Sequence, residues 1–106
     1  MVFGRFFRDL SLGVKRSPKW GEVRKTHLAE HLVCARCGGK KVLEVHHKKP
    51  FHLFPELELK PENLVTLCEK MKCHFIFGHL YSWRSYNPEI EKDLEIWKLK
   101  ERNKPL

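Results

Sequence analysis

No apolar run in this sequence approaches the length that a membrane-spanning helix needs. The opening stretch MVFGRFFRDLSLGV is apolar in places, but Arg5, Arg8 and Asp9 interrupt it. It lacks the continuous apolar segment and cleavage site of a secretory leader. Internal repeats and low-complexity segments are absent as well, so one ordinary folded domain is expected over residues 1–106. Acidic residues are few. Thirteen Asp and Glu face 21 Lys and Arg, a formal net charge of +8, and a field of that sign favours a polyanion such as nucleic acid. Apolar material is also limited: 42% hydrophobic against 32% charged leaves a modest core, and such domains often need a staple.

The chain carries four cysteines in two short pairs, Cys34 with Cys37 and Cys68 with Cys73. Without a leader, a cytoplasmic location is expected, where clustered thiols more often mean metal than disulfide. A redox C-x2-C would sit in a βαβ context, which is missing here. Zinc wants four soft ligands in a tetrahedron, and two cysteine turns can supply two each. Such a site contributes roughly 10–16 kcal/mol of apparent binding free energy, which is also folding free energy. It would be the staple, and it says nothing about catalysis.

The pattern along the chain is helix, strand, loop, strand, helical turn, helix. Residues 1–16 form a basic arm. Ser17 and Pro18 suit the start of a helix over 17–33, with Trp20, Val23, His27, Leu28 and Leu32 at helical spacing. A glycine turn, CARCGGKK, leads into a strand ending in LEVHHKKP. A loop broken by Pro50, Pro55 and Pro61 precedes a second strand, LVTLC. CHFIFGHLYSW reads as helix or helical turn, and Asn87-Pro88 opens a last helix and tail over 87–106.

The paired histidines pose the main question. Successive strand side chains point to opposite faces, so His46 and His47 cannot share one task in a regular strand. The simple reading is an exposed polar pair. Yet Asn63 opens the second strand, and His74 follows Cys73 at the start of the helical turn. In this order, CARCGGKKVLEVHHKKPF, ENLVTLC and CHFIFGH resemble the His-Asn-His (HNH) endonuclease family. RSPKWGEVRKTHL before them and WRSYNP after them fit more loosely.

The resemblance implies an α+β fold: a small ββα-metal (His-Me finger) core over 34–86, stapled by zinc and flanked by N- and C-terminal helices. It implies that His46 and His74 bind a catalytic divalent ion, Mg2+, Mn2+ or another. His47 would be the general base that activates water, and Asn63 would brace the loop that orients it. Cys34, Cys37, Cys68 and Cys73 would hold structural Zn2+. The expected reaction is hydrolysis of DNA phosphodiesters, by nicking or double-strand cleavage, leaving 5′-phosphate and 3′-hydroxyl ends. The small size associates the chain with a phage or mobile element and its machinery. The alternative is a non-catalytic zinc-binding module that grips nucleic acid.

One departure concerns His79. A second helix histidine is expected four residues after His74, but that position is Gly78. On a regular helix His74 and His79 diverge by roughly 140°. Either Gly78 allows a local distortion that brings His79 to the ion, or His79 packs nearby and water completes the coordination. His27 and His31 read as one helix face, and His52 as loop surface.

Lys48, Lys49 and Arg84 flank these positions and suit phosphate contacts, which give affinity without sequence choice. Lys15, Arg16, Lys19, Arg24 and Lys25 add basic density around the first helix. No recognition-helix pattern is visible.

Overall fold

The computed structural model describes residues 15–102. Helix α1 spans Trp20–Glu30, strands β1 and β2 span Leu43–His47 and Leu64–Cys68, a π-helical turn spans His74–Gly78, and helix α2 spans Ile90–Arg102. Short 3-10 turns at Pro55–Leu57 and Pro61–Asn63 punctuate the loop between the strands. Each begins at a proline, whose fixed φ suits a first helical position. A two-stranded sheet followed by a helical turn and a four-cysteine cluster is consistent with a ββα-metal fold. The basic arm expected over 1–16 lies outside the described residues except for Lys15 and Arg16, as does the tail from 103.

Helix α1 is shorter than 17–33 at both ends. The Ser17 carbonyl accepts the Trp20 amide and the Ser17 hydroxyl accepts the Lys19 amide, so Ser17 closes a turn ahead of the helix. The helix stops at Glu30 because the sheet captures the next residues. Thr66 Oγ1 donates to the His31 carbonyl, and the Ala35 amide donates to the Thr66 carbonyl. Leu32 and Val33 are therefore exposed. Helix α2 likewise starts at Ile90, three residues after Asn87.

The strands pair antiparallel, with His46 opposite Val65 and His47 opposite Leu64. The ladder's β-branched and leucine side chains fit a half-buried pleat. The core joins Leu67, Ile90 and Leu94 to Cys34, Cys68 and Cys73, with Leu43, Val65 and Phe77 packed around them. Half of that buried cluster is cysteine. Apolar burial alone is thus thin, as the composition implies.

Asn87 ties the π-helical turn to α2. Its buried amide donates to the Phe77 carbonyl at 3.0 Å and to Asp93 Oδ2 at 2.8 Å, while Oδ1 accepts the Glu89 amide at 2.9 Å. The Asn87 main-chain amide reaches the Gly78 carbonyl at 3.0 Å.

Candidate functional site

The two cysteine pairs meet at one corner of the sheet. Gly38, at φ +76°, allows the tight turn that brings Cys37 back beside Cys34. The Cys37 amide donates to Cys34 Sγ and the Met71 amide to Cys68 Sγ, both at 3.4 Å. Cys37 and Cys68 Sγ lie 3.6 Å apart, and all four sulfurs are within 4.8 Å of one another, with no disulfide among them. Tetrahedral zinc thiolates would stand about 3.8 Å apart, so the four thiols could hold one metal ion. Burial alone would push the Cys68 thiol up, yet the Met71 amide and the neighbouring thiols bring it down to about 7.

Strand alternation separates His46 from His47. The His46 ring turns inward, 2% exposed, and meets His74 and His79. His46 Nδ1 lies 3.1 Å from His74 Nε2, which lies 3.2 Å from His79 Nε2. Nitrogens bound tetrahedrally to one ion at zinc-like distances stand about 3.3 Å apart, so this set too could hold a metal. The other nitrogen of two of the rings is already committed: His74 Nδ1–H donates to Glu69 Oε2 at 2.9 Å and His79 Nδ1–H to the Ser85 carbonyl at 2.7 Å. Both therefore present Nε2 lone pairs to the cluster, the orientation that outer partners impose on metal-binding histidines. Burial, reinforced by the neighbouring His74 and His79, pushes His46 down to about 3. Burial lowers His79 as well. Neutral rings are the ligating form.

His79 reaches the cluster because the turn after Cys73 is π-helical. Its amide bonds the His74 carbonyl at 3.1 Å, a five-residue step that widens the turn and returns His79 to the face where a regular helix would place residue 78. Gly78 makes the turn compatible with His46. A Cβ at Gly78 would meet His46 Cε1 and Nδ1 at 2.9 Å.

His47 points the other way and packs against Trp20, with centroids 4.5 Å apart and the rings tilted by 37°. Its Nε2–H donates to the Glu58 carbonyl at 3.0 Å, so Nδ1 carries the lone pair. Burial lowers the His47 pKa against the opposing pull of that carbonyl, with the Arg16 charge lowering it further. Asn63 is buried and clamps the loop after His47. Oδ1 accepts the Lys49 amide at 2.9 Å, and Nδ2 donates to the Lys49 and Leu57 carbonyls at 3.0 and 3.1 Å.

Residues 34–75 match the family model of HNH endonuclease. No curated protein and no solved structure matches the chain. The matched segment contains both cysteine pairs, His46, His47, Asn63 and His74, and ends before His79. It supports a nuclease or nucleic-acid-related function. Among the described residues, no helix is long and apolar enough to cross a membrane.

A cleft of ≈ 320 Å³ opens over the matched segment, lined by His46, His47, His74 and His79 together with Arg16 and His52. Arg16 is more than general basic density. Its Nε donates to Glu58 Oε2 at 2.6 Å, and its guanidinium lies over the Phe51 and Trp20 rings at 4.7 and 5.3 Å. Glu58 thereby aligns Arg16 through its carboxylate and His47 through its carbonyl. Glu58 lies 42 residues from Arg16 and 11 from His47, so no local spacing signals it, whereas Glu69 and Ser85 stand close in sequence to His74 and His79 but no motif marks them. Lys49 and Arg84 are exposed, whereas the Lys48 ammonium is bonded to Glu91 at 3.1 Å.

Proposed function

We propose that this protein is a metal-dependent DNA endonuclease whose reaction centre is the histidine-lined cleft. The observation that carries this reading is the division of one dipeptide: His46 converges with two other imidazoles, while His47 turns to the other side of the strand with its ring oriented by Glu58. His46, His74 and His79 would hold one divalent ion, Mg2+, Mn2+ or another, which would stabilise charge on the phosphate and leaving oxygen. Cys34, Cys37, Cys68 and Cys73 would hold zinc as a structural staple in a cytoplasmic protein.

His47 is the general base in this mechanism. With Nε2–H committed to the Glu58 carbonyl, Nδ1 is the atom that takes the proton from the attacking water. Burial keeps the ring neutral at ordinary pH, the form a base requires. A well-placed base contributes roughly 10²–10⁴-fold. Asn63 is a positioning residue that fixes Lys49 and Leu57 and so the path of the chain beyond His47. Arg16, held flat by Phe51 and Glu58, would meet a phosphate oxygen in the cleft, with Lys49 and Arg84 contacting flanking phosphates. By the family resemblance, the products would carry 5′-phosphate and 3′-hydroxyl ends.

The test is relaxation of supercoiled plasmid with added Mg2+ or Mn2+, beside a chelator control and His47→Ala protein that retains its zinc. Metal-dependent nicking lost in His47→Ala supports the reading. Tight DNA binding with no nicking under any metal would move the assignment to a non-catalytic zinc module.

A further inference from the structure

Beside the imidazole cluster the protein holds two large aromatic side chains out in solvent. Trp83 is 57% exposed and Tyr81 69% exposed. The Trp83 ring centroid lies 4.8 Å from that of His79 and 5.2 Å from that of His74. Phe75 supports both from below, 5.0 Å from Trp83 and 6.0 Å from Tyr81.

The exposure is built into the backbone. Leu80 and Tyr81 both adopt positive φ, at 52° and 69°, a conformation that L-residues avoid because Cβ crowds the following carbonyl. The Leu80 amide bonds the Ile76 carbonyl and the Tyr81 amide the Phe75 carbonyl, each at 3.1 Å. The Ser85 hydroxyl then bonds the His79 and Ser82 carbonyls, closing the segment onto the π-helical turn. The two positive-φ residues thus open a closed turn on which both rings stay in solvent. The neighbouring Arg84 is exposed, and the whole chain carries net charge +8, so the occupant that complements this rim is a polyanion with flat apolar faces. Nucleic acid has both properties. In duplex DNA, however, the base faces are already stacked and paired, and they become available only in unpaired or extruded nucleotides.

We infer that Trp83, packed on the His74 and His79 rings, and Tyr81, joined to it through Phe75, form a stacking platform for an unpaired base. The preferred substrate is thus DNA with a single-stranded nucleotide next to the cut. This deepens the nuclease reading and rests on it for the word cut, while the platform itself is a binding feature.

The experiment is fluorescence anisotropy with a labelled single-stranded oligonucleotide and its blunt duplex, without added Mg2+ or Mn2+, at one salt concentration. Parent, Trp83→Ala, Trp83→Phe and Tyr81→Ala proteins are compared, each with its zinc content verified. The parent is expected to prefer the single strand. Trp83→Ala should weaken single-strand binding roughly 10-fold, and Trp83→Phe by much less, because stacking on a base needs only a ring face. Tyr81→Ala gives an independent reading should Trp83→Ala disturb the histidines beneath it. Duplex affinity should not change in any variant. Equal losses on both DNAs, or no loss on either, would overturn the inference. The plasmid assay separates the two readings. Protein that discriminates single strands through Trp83 but cuts nothing keeps the platform and loses the nuclease. Protein that nicks plasmid and shows no single-strand preference does the reverse.

Discussion

Gly78 and His46 share a space with no room for one more carbon: a Cβ on Gly78 would sit 2.9 Å from two atoms of the buried His46 ring. Gly78→Ala must therefore displace the imidazole or unwind the π-helical turn. Overpacking of this kind costs about 1–3 kcal/mol. The variant is expected to retain the metal at its cysteines and to lose metal bound at the histidines. Metal stoichiometry with and without thiol blocking checks both halves.

Asn63→Ala removes three hydrogen bonds of a buried side chain at once and leaves part-buried main-chain groups of Lys49 and Leu57 without these partners. The stability loss should be roughly 2–4 kcal/mol, at the level of an unsatisfied buried network. Asn63→Asp should recover little, since its second oxygen would face two carbonyls that need a donor. Denaturant titration gives the stability, and nicking rate on folded protein gives the positioning role.

Arg36 lies over Phe77 and Trp97, at 4.9 and 4.4 Å, and points Nη1 at Cys73 Sγ, 3.6 Å away. Its positive charge would offset the negative charge of a four-thiolate zinc site. Arg36→Met keeps an apolar stem against both rings and removes the charge and the N–H donor. Zinc affinity should fall roughly 10-fold, as for the loss of other outer partners. Competition against a chromophoric chelator reads this directly.

His27 is buried, and its Nε2 lacks a hydrogen-bond partner among the described residues. Burial first, and then the nearby His31 charge, lowers its pKa below 6.5. The sign follows from linkage. Above 6.5 neither the folded nor the unfolded form is protonated, and His27 contributes no pH dependence. Below 6.5 the unfolded chain takes up the proton first, so stability falls as pH falls toward the folded-state value. His27→Leu should reduce that slope and leave neutral-pH stability equal or higher, because an orphaned polar atom is replaced by an apolar one. Melting temperatures of the two proteins from about pH 7 to about pH 5 test it.

Strand alternation alone is enough to separate His46 from His47, because a period of two admits no other arrangement. The cysteine pairs are equally legible, since each pair is local and its turn is marked by glycine or by a strand end. His79 is different. Regular helix geometry turns it away from His74, and the π-helical step that brings it back is accompanied by a hydrogen bond from Asn87, ahead of α2, to the Phe77 carbonyl. Arg16 and Glu58 lie 42 residues apart, and nothing local announces their contact. The early end of α1 has the same origin: Thr66 on β2 takes the His31 carbonyl that another helical turn would have used.

Cys73 and His74 are consecutive, yet one belongs to the thiol set and the other to the imidazole set. Only one peptide bond separates the two. The placement of the imidazole set is thus tied to that of the thiol set, and a loosened Cys73 would carry His74 out of reach of His46 within a single residue. Whatever chemistry the histidines perform is thereby interlocked with folding. In a nascent, zinc-starved or thiol-oxidised copy of this protein, the histidine cluster would stay unassembled until its scaffold is complete.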